Sequence, residues 1–183
     1  DCGTIFSSPA FVSVNQGCVE ICGNGVDDDF DGLSDCDDPD CGGIVSSLTN
    51  NVTVCSGSSA AFTISASGNA PFTFGWDNGL DSVTSHTVTP LSTTTYNVTV
   101  TNENNCSVTD AVTVNVNQNP IANASGNLSI CQNQSGLISA SALGGTTPYL
   151  YSWDNGLGNG DSHMVSPATT TTYTVTVTSD NGC

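Results

Sequence analysis

From Tyr96 to Val100 the chain alternates apolar Tyr96, Val98 and Val100 with polar Asn97 and Thr99, and the alternation returns as Tyr173, Val175 and Val177 against Thr174 and Thr176. A period of two puts successive side chains on opposite faces, so these runs predict half-buried β-strands. Helical periodicity is absent, and Gly, Asn and Pro punctuate the short runs. The pattern predicts an all-β chain built from sandwiches.

The alternation belongs to a repeat. One copy runs Cys55, Trp76-Asp77-Asn78-Gly79-Leu80, Pro90, Thr93-Thr94-Thr95-Tyr96, Cys106; the other runs Cys131, Trp153-Asp154-Asn155-Gly156-Leu157, Pro167, Thr170-Thr171-Thr172-Tyr173, Cys183. The second Cys lies 30 residues beyond the Trp in both copies, so they share one architecture. The first copy continues as Ala111-Val112-Thr113-Val114-Asn115-Val116-Asn117-Gln118, whereas the second stops one strand short. A segment of matching pattern, Ala10-Phe11-Val12-Ser13-Val14-Asn15-Gln16, sits at the other end. Four segments are therefore expected: an arm at 1–16, a Cys/Asp/Gly-rich module at 17–43, a complete repeat at 44–119, and a repeat lacking its last strand at 120–183.

The Cys…Trp…Cys order points to Ig-like sandwiches, with one departure. In immunoglobulin domains a Tyr lies two residues before the second Cys; here Tyr96 lies ten before Cys106. That cysteine follows Asn104-Asn105, at a predicted hairpin tip. The string at 170–183 and the Trp-Asp-Asn-Gly motifs resemble the PKD-like/Ig-like repeats of large secreted Bacteroidota surface adhesins, over residues 44–183. The resemblance implies an exported, adhesive or cell-surface protein and specifies no ligand.

Charge narrows the function classes. The chain has no Lys or Arg and a formal charge of −17, which repels phosphate backbones and anionic membranes and excludes nucleic-acid binding. Nine cysteines in 183 residues point to an oxidising compartment. No apolar stretch approaches the roughly 20 residues a spanning helix needs. The start at Asp1-Cys2, without a basic leader, is that expected of a chain whose secretion signal has been removed. The localisation expected is extracellular or cell-surface.

The strongest chemical motif spans 27–38. Taking Asp27 as position 1, Asp29 is 3, Asp31 is 5, Gly32 is 6, Leu33 is 7, Asp35 is 9 and Asp38 is 12. Calcium requires six to eight hard oxygens, which a loop curling round the ion supplies at these spacings, with Leu33 offering its carbonyl. The spacing among cysteines also resembles the thrombospondin type-3 calcium repeat, and no helix-forming sequence flanks it. Ca2+ is therefore the expected cofactor, with a role in rigidifying the joint between arm and sandwich.

Repeat equivalence predicts Cys55–Cys106 and Cys131–Cys183 bridges. Cys18, Cys22, Cys36 and Cys41 are expected to pair among themselves, leaving Cys2 free or for a neighbouring copy. A Cys2–Cys18 bridge is the competing possibility, and it would close the arm into a loop. Aligning Gln16 on Gln118 sets Val14, Val12 and Ala10 on Val116, Val114 and Val112. Burying those side chains and forming the ladder bonds would yield a gross gain on the order of 10 kcal/mol. The arm thus reads as a donor strand for another copy of the chain, with the homopolymer as partner. Two other readings of the missing strand stay open: continuation of the chain beyond Cys183, and fold-back of the arm within one copy.

Six N-x-[ST] sequons, at Asn51, Asn97, Asn105, Asn123, Asn127 and Asn133, are glycosylation candidates. Asp81-Ser82-Val83 resembles a short bacterial O-glycosylation motif, which makes Ser82 another. His86 and His163 occupy equivalent positions without a recurring second metal ligand, so they read as structural. With no nucleophile elbow, no basic group and no paired carboxylates in an evident cleft, an enzyme is not expected. The sequence reading is a pilus-like fibre subunit assembled by strand donation. The alternative is a fragment of a long adhesin stalk, with the repeats as spacers or glycan-binding modules.

Overall fold

The computed structural model describes residues 19–183; the arm, with Ala10, Val12 and Val14, and both Cys2 and Cys18 lie outside the described residues. The chain is all-β, and its one helical segment among the described residues is a 3-10 turn at Asp35–Asp37. No helix among them is long and apolar enough to cross a membrane.

The first repeat comprises β1 (Val45–Leu48), β2 (Val52–Cys55), β3 (Ala60–Ser67), β4 (Thr73–Trp76), β5 (Ser85–Val88), β6 (Thr94–Thr101) and β7 (Ser107–Asn117). They form two sheets, β1-β3-β5 and β2-β7-β6-β4. This is the strand order of an Ig-like sandwich whose first strand is split between the two sheets. The second repeat comprises β8 (Ile121–Ala124), β9 (Gly136–Leu143), β10 (Tyr149–Trp153), β11 (Gly158–Asn159), β12 (Ser162–Val165) and β13 (Val175–Ser179). Its sheets, β12-β9-β8 and β11-β10-β13, reproduce the first repeat except that β2 and β7 have no counterpart and the two-residue β11 is added beside β10.

The chain divides into two compact units. One takes the described chain up to Val52 with Ala61–Val88 and Thr95–Thr113; the other takes Thr53–Ala60, Thr89–Thr94 and Val114–Cys183. In the first, Ile64, Val98 and Val100 are buried among Leu48, Phe74 and Trp76. In the second, Ile138, Trp153 and Val165 pack with Tyr173 and Val175.

The cysteine pairing corrects the within-repeat expectation, and strand length is the reason. Cys55 lies at the far end of β7, where the Ser56 N–H donates to the Asn117 carbonyl at 2.8 Å. Cys106 immediately precedes the near end of this strand of 11 residues. At ~3.3 Å per residue that is roughly 35 Å, against a Cα limit of about 7 Å for a bridge. Cys106 instead bonds Cys36 (Cα–Cα 5.3 Å), and Cys55 bonds Cys183 (5.5 Å). Cys131, expected to pair with Cys183, is an exposed free thiol. It precedes β9, whereas Cys183 lies at the other end of that strand, where the Asp180 N–H donates to the Thr146 carbonyl. Cys22 pairs within the module, with Cys41, while Cys36 leaves the module for the hairpin tip. That tip is also held by the Asn102 and Asn104 side-chain amides, which donate to the Cys41 carbonyl at 3.1 and 3.0 Å.

Each Trp-Asp-Asn-Gly forms a tight turn. Asn78 and Gly79 both have positive φ (53° and 72°), and the Leu80 N–H closes onto the Asp77 carbonyl at 3.2 Å, the geometry Asn-Gly favours. The Asp77 carboxylate accepts the Asn97 side-chain amide (2.7 Å) and the Asn97 backbone N–H (2.9 Å). These bonds, the side-chain amide first, hold its carboxyl below the usual range. Because the folded form binds the proton more weakly, the stabilisation is present above the ordinary carboxylate pKa and is lost as pH falls through the lowered one. Asp77→Ala is expected to cost about 1 kcal/mol at neutral pH. The deficit should shrink as pH falls below the carboxylate range, and urea titrations at pH 7 and pH 3 check it.

Candidate functional site

Among the described residues, the acidic module and the open side of the second repeat are the candidate sites. In the module, carboxylates first organise the backbone. Asp31 N–H donates to Asp29 Oδ1 (3.1 Å), Leu33 N–H to Asp31 Oδ1 (2.8 Å) and Gly32 N–H to Asp27 Oδ2 (3.1 Å). These short links curl the loop, and Gly32 takes φ 98° at the bend, a conformation that disfavours any side chain.

The resulting acidic set differs from the one read off the spacing. Ligand-type oxygens of Asp29, Asp31 and Asp38 lie within 4.8 Å of one another, and so do those of Glu20, Asp27 and Asp29. Asp29 belongs to both groups. Glu20, which the spacing did not indicate, is buried, and its two carboxylate oxygens accept the backbone N–H groups of Asp28 (2.8 Å) and Asp35 (3.0 Å). Asp35, expected as a ligand, falls in neither group. Its carboxylate accepts the backbone N–H groups of Gly23, Asn24 and Gly25 and so caps that turn. Leu33 enters these contacts through its N–H.

These residues suit a hard cation. Asp38 is only 1% exposed, and its Oδ2 and the Asp27 Oδ1 are buried without a hydrogen-bond partner. A buried, unpaired carboxylate oxygen is costly, and a chain without Lys or Arg has no side-chain ammonium or guanidinium to offset it. Desolvation, then the charges of Asp31, Asp38 and Glu20, raise the Asp29 carboxyl above its ordinary pKa. An all-oxygen cluster of this kind can hold a divalent cation of the Ca2+ or Mg2+ class.

The second place is a cavity of about 680 Å³ in the second repeat. Its floor is that repeat's own core, Ile138, Trp153 and Val165. Its walls are the segments 124–132 and 167–173. By repeat equivalence these walls correspond to β2 and the start of β6, the two strands that flank β7 in the first repeat. The cavity thus occupies the position of β7, whose inward Val112 and Val114 are fully buried. Both walls carry the mark of a missing ladder partner. Residues 128–131 form no strand although β2 does, and β13 begins only at Val175 although β6 already includes Thr94. Val98 and Val100 are 1% and 0% exposed, whereas the equivalent Val175 and Val177 are only half-buried.

The other singled-out residues lie elsewhere. Asn51, Asn97, Asn105, Asn123, Asn127, Asn133 and Ser82 are all exposed. Asn51 Oδ1 accepts the Thr113 N–H, and the Asn97 amide is committed to Asp77. His86 packs edge-on against Trp76 (5.0 Å between ring centres) and His163 against Trp153 (6.0 Å).

No protein-family model matches the chain, and no curated protein sequence does. Among solved structures it is similar to DIP-gamma IG1+IG2, at 12% identity, covering 73% of this chain and 95% of that one, with a TM-score of 0.36. It is also similar to Dpr11 IG1 bound to DIP-gamma IG+IG2, at 14% identity, 67% and 81% coverage, and a TM-score of 0.34. The Ig-like fold itself rests on the strand order, β1-β3-β5 against β2-β7-β6-β4.

Proposed function

We propose that this chain is an extracellular structural subunit that assembles into a fibre by donating its N-terminal arm, as a β-strand, to the second repeat of another copy. The observation that carries this reading is the cavity over Ile138, Trp153 and Val165, walled by segments equivalent to the two strands that flank β7 in the first repeat. The arm's sequence fits that position, since Ala10, Val12 and Val14 fall on the places of Val112, Val114 and Val116. A pairing of this kind combines main-chain ladder bonds on both sides with side-chain burial on the inner face. The disulfides agree with the oxidising surroundings that such an assembly would occupy.

In the same reading the acidic module is a calcium site. Glu20, Asp27, Asp29, Asp31 and Asp38 hold the ion, and Asp35 caps the turn at Gly23–Gly25. The cation stiffens the segment between the donated strand and the first sandwich. Affinity of the extracellular grade, a Kd of roughly 10⁻⁴–10⁻³ M, suffices for that task.

Two outcomes are expected. Deleting residues 1–16 leaves monomers in sedimentation and electron microscopy where the full chain forms fibres, and added peptide 1–16 binds the truncated protein with a change in Trp153 fluorescence. Unaltered assembly after the deletion would return the chain to the spacer reading or to a strand supplied from beyond Cys183. For the module, Ca2+ titration by calorimetry gives saturable binding that Asp38→Asn or Glu20→Gln weakens tenfold or more. Asp35→Asn instead lowers the melting temperature both in Ca2+ and in EDTA. Equal Ca2+ binding by all three variants would remove the metal assignment.

A further inference from the structure

Gly136 is the first residue of β9 and is buried. Its φ lies outside the left-handed region, so the backbone there does not call for glycine. Space does. A Cβ at this position would run into Leu128 Cδ2 and come within 3.0 Å of Ile130 Cγ2. Glycine inside a strand often marks such a close approach. Leu128 and Ile130 belong to the cavity wall that has no strand geometry.

The first repeat shows what this arrangement replaces. The Ser58 N–H donates to the Cys55 carbonyl at 2.9 Å, and the Gln134 N–H to the Cys131 carbonyl at 3.0 Å. Matching these turns puts Leu128 in the place of Val52, Ile130 in that of Val54 and Gly136 in that of Ala60. Ala60 is buried, at 3% exposure. The second repeat has thus lost a methyl from the core floor and gained a carbon at each of two wall positions. Leu128 Cδ2 fills the space that a methyl like that of Ala60 would take.

We propose that residues 128–131 are a strap, seated on Gly136, that holds the second repeat part-closed and sets the rate at which a donated strand enters. This rests on the strand-donation reading above. An entering strand takes the place of β7, and β7 pairs with β2. The strap lies in the place of β2, so it must become a strand and lift Leu128 off Gly136 before the ladder closes. No strand pairing holds it down, and Leu128 is still 48% exposed. The hold is therefore shallow: it slows entry without preventing it. It also covers part of the core floor before assembly, which limits the apolar surface of the unassembled chain.

The test uses the full chain, diluted from denaturant with its disulfides intact. Assembly is followed by light scattering and refolding by tryptophan fluorescence. Leu128→Ala removes the group seated on Gly136. Gly136→Ala combined with Leu128→Val instead restores the residue pair of the first repeat and keeps the wall apolar. Both variants should refold like the wild type and shorten the half-time of fibre assembly about fivefold, the factor expected for losing part of a leucine's apolar contact. Where the two variants differ, the double variant decides. Fibres that form from it at the wild-type rate or more slowly overturn the strap and leave strand donation standing. A wild-type chain that forms no fibres removes strand donation, and the strap with it.

Discussion

A β-sandwich closes when a strand lies between its two neighbours in the sheet, because that strand supplies inward side chains to the core and ladder bonds on both sides at once. In the first repeat β7 does this, and Val98 and Val100 are sealed. In the second repeat the same architecture lacks the strand. The valines at the equivalent positions are half-buried, the flanking segments lose strand geometry, and the core floor opens into a cavity. One missing element thus accounts for three local differences between two otherwise matching repeats. Within the described residues the second repeat therefore presents an unpaired sheet edge beside an uncovered core.

Charge imposes the second constraint. With no Lys or Arg, every carboxylate must be satisfied by N–H groups, hydroxyls, water or a cation. Asp35 is satisfied by three backbone N–H groups, Glu20 by two, and Asp77 by Asn97. The oxygens left over, Asp27 Oδ1 and Asp38 Oδ2, are buried in the loop where the carboxylates converge. Desolvation first, and then the converging like charges, raise the cost of ionising Asp29. A divalent cation bound among them would reverse the sign of that interaction and so couple the module's order to metal binding.

Much of the architecture was legible in the sequence, and its failures have definite causes. Period-two runs and the Trp-Asp-Asn-Gly turns carry their own geometry, so the strands and the two-repeat plan could be read directly. The absence of a β7 counterpart was visible from the alignment of the repeats. The disulfides were not, since matching cysteine positions in two repeats fit bridges within repeats and bridges between neighbours alike. Only the length of β7, which sets Cys55 and Cys106 at opposite ends, separates these cases. The acidic set was read from linear spacing, which finds carboxylates on one loop but not which of them turn inward. Asp35 turned to the backbone of residues 23–25, and Glu20 arrived from outside the motif. Glu20 is one of two glutamates in the chain, and its short run of neighbours carries no pattern that marks it.

Bridging between neighbours rather than within repeats has little to do with chain entropy. The sequence separations are 70 and 128 residues for the observed bridges, and 51 for the Cys55–Cys106 alternative. Loop-closure entropy grows only logarithmically, giving about 4–5 kcal/mol in all three cases. What differs is where the constraint acts. A bridge inside a sandwich reinforces strands already held by ladder bonds and a core. A bridge from a hairpin tip to the preceding segment instead ties down chain that no shared ladder joins to that tip, as Cys36 is tied to Cys106.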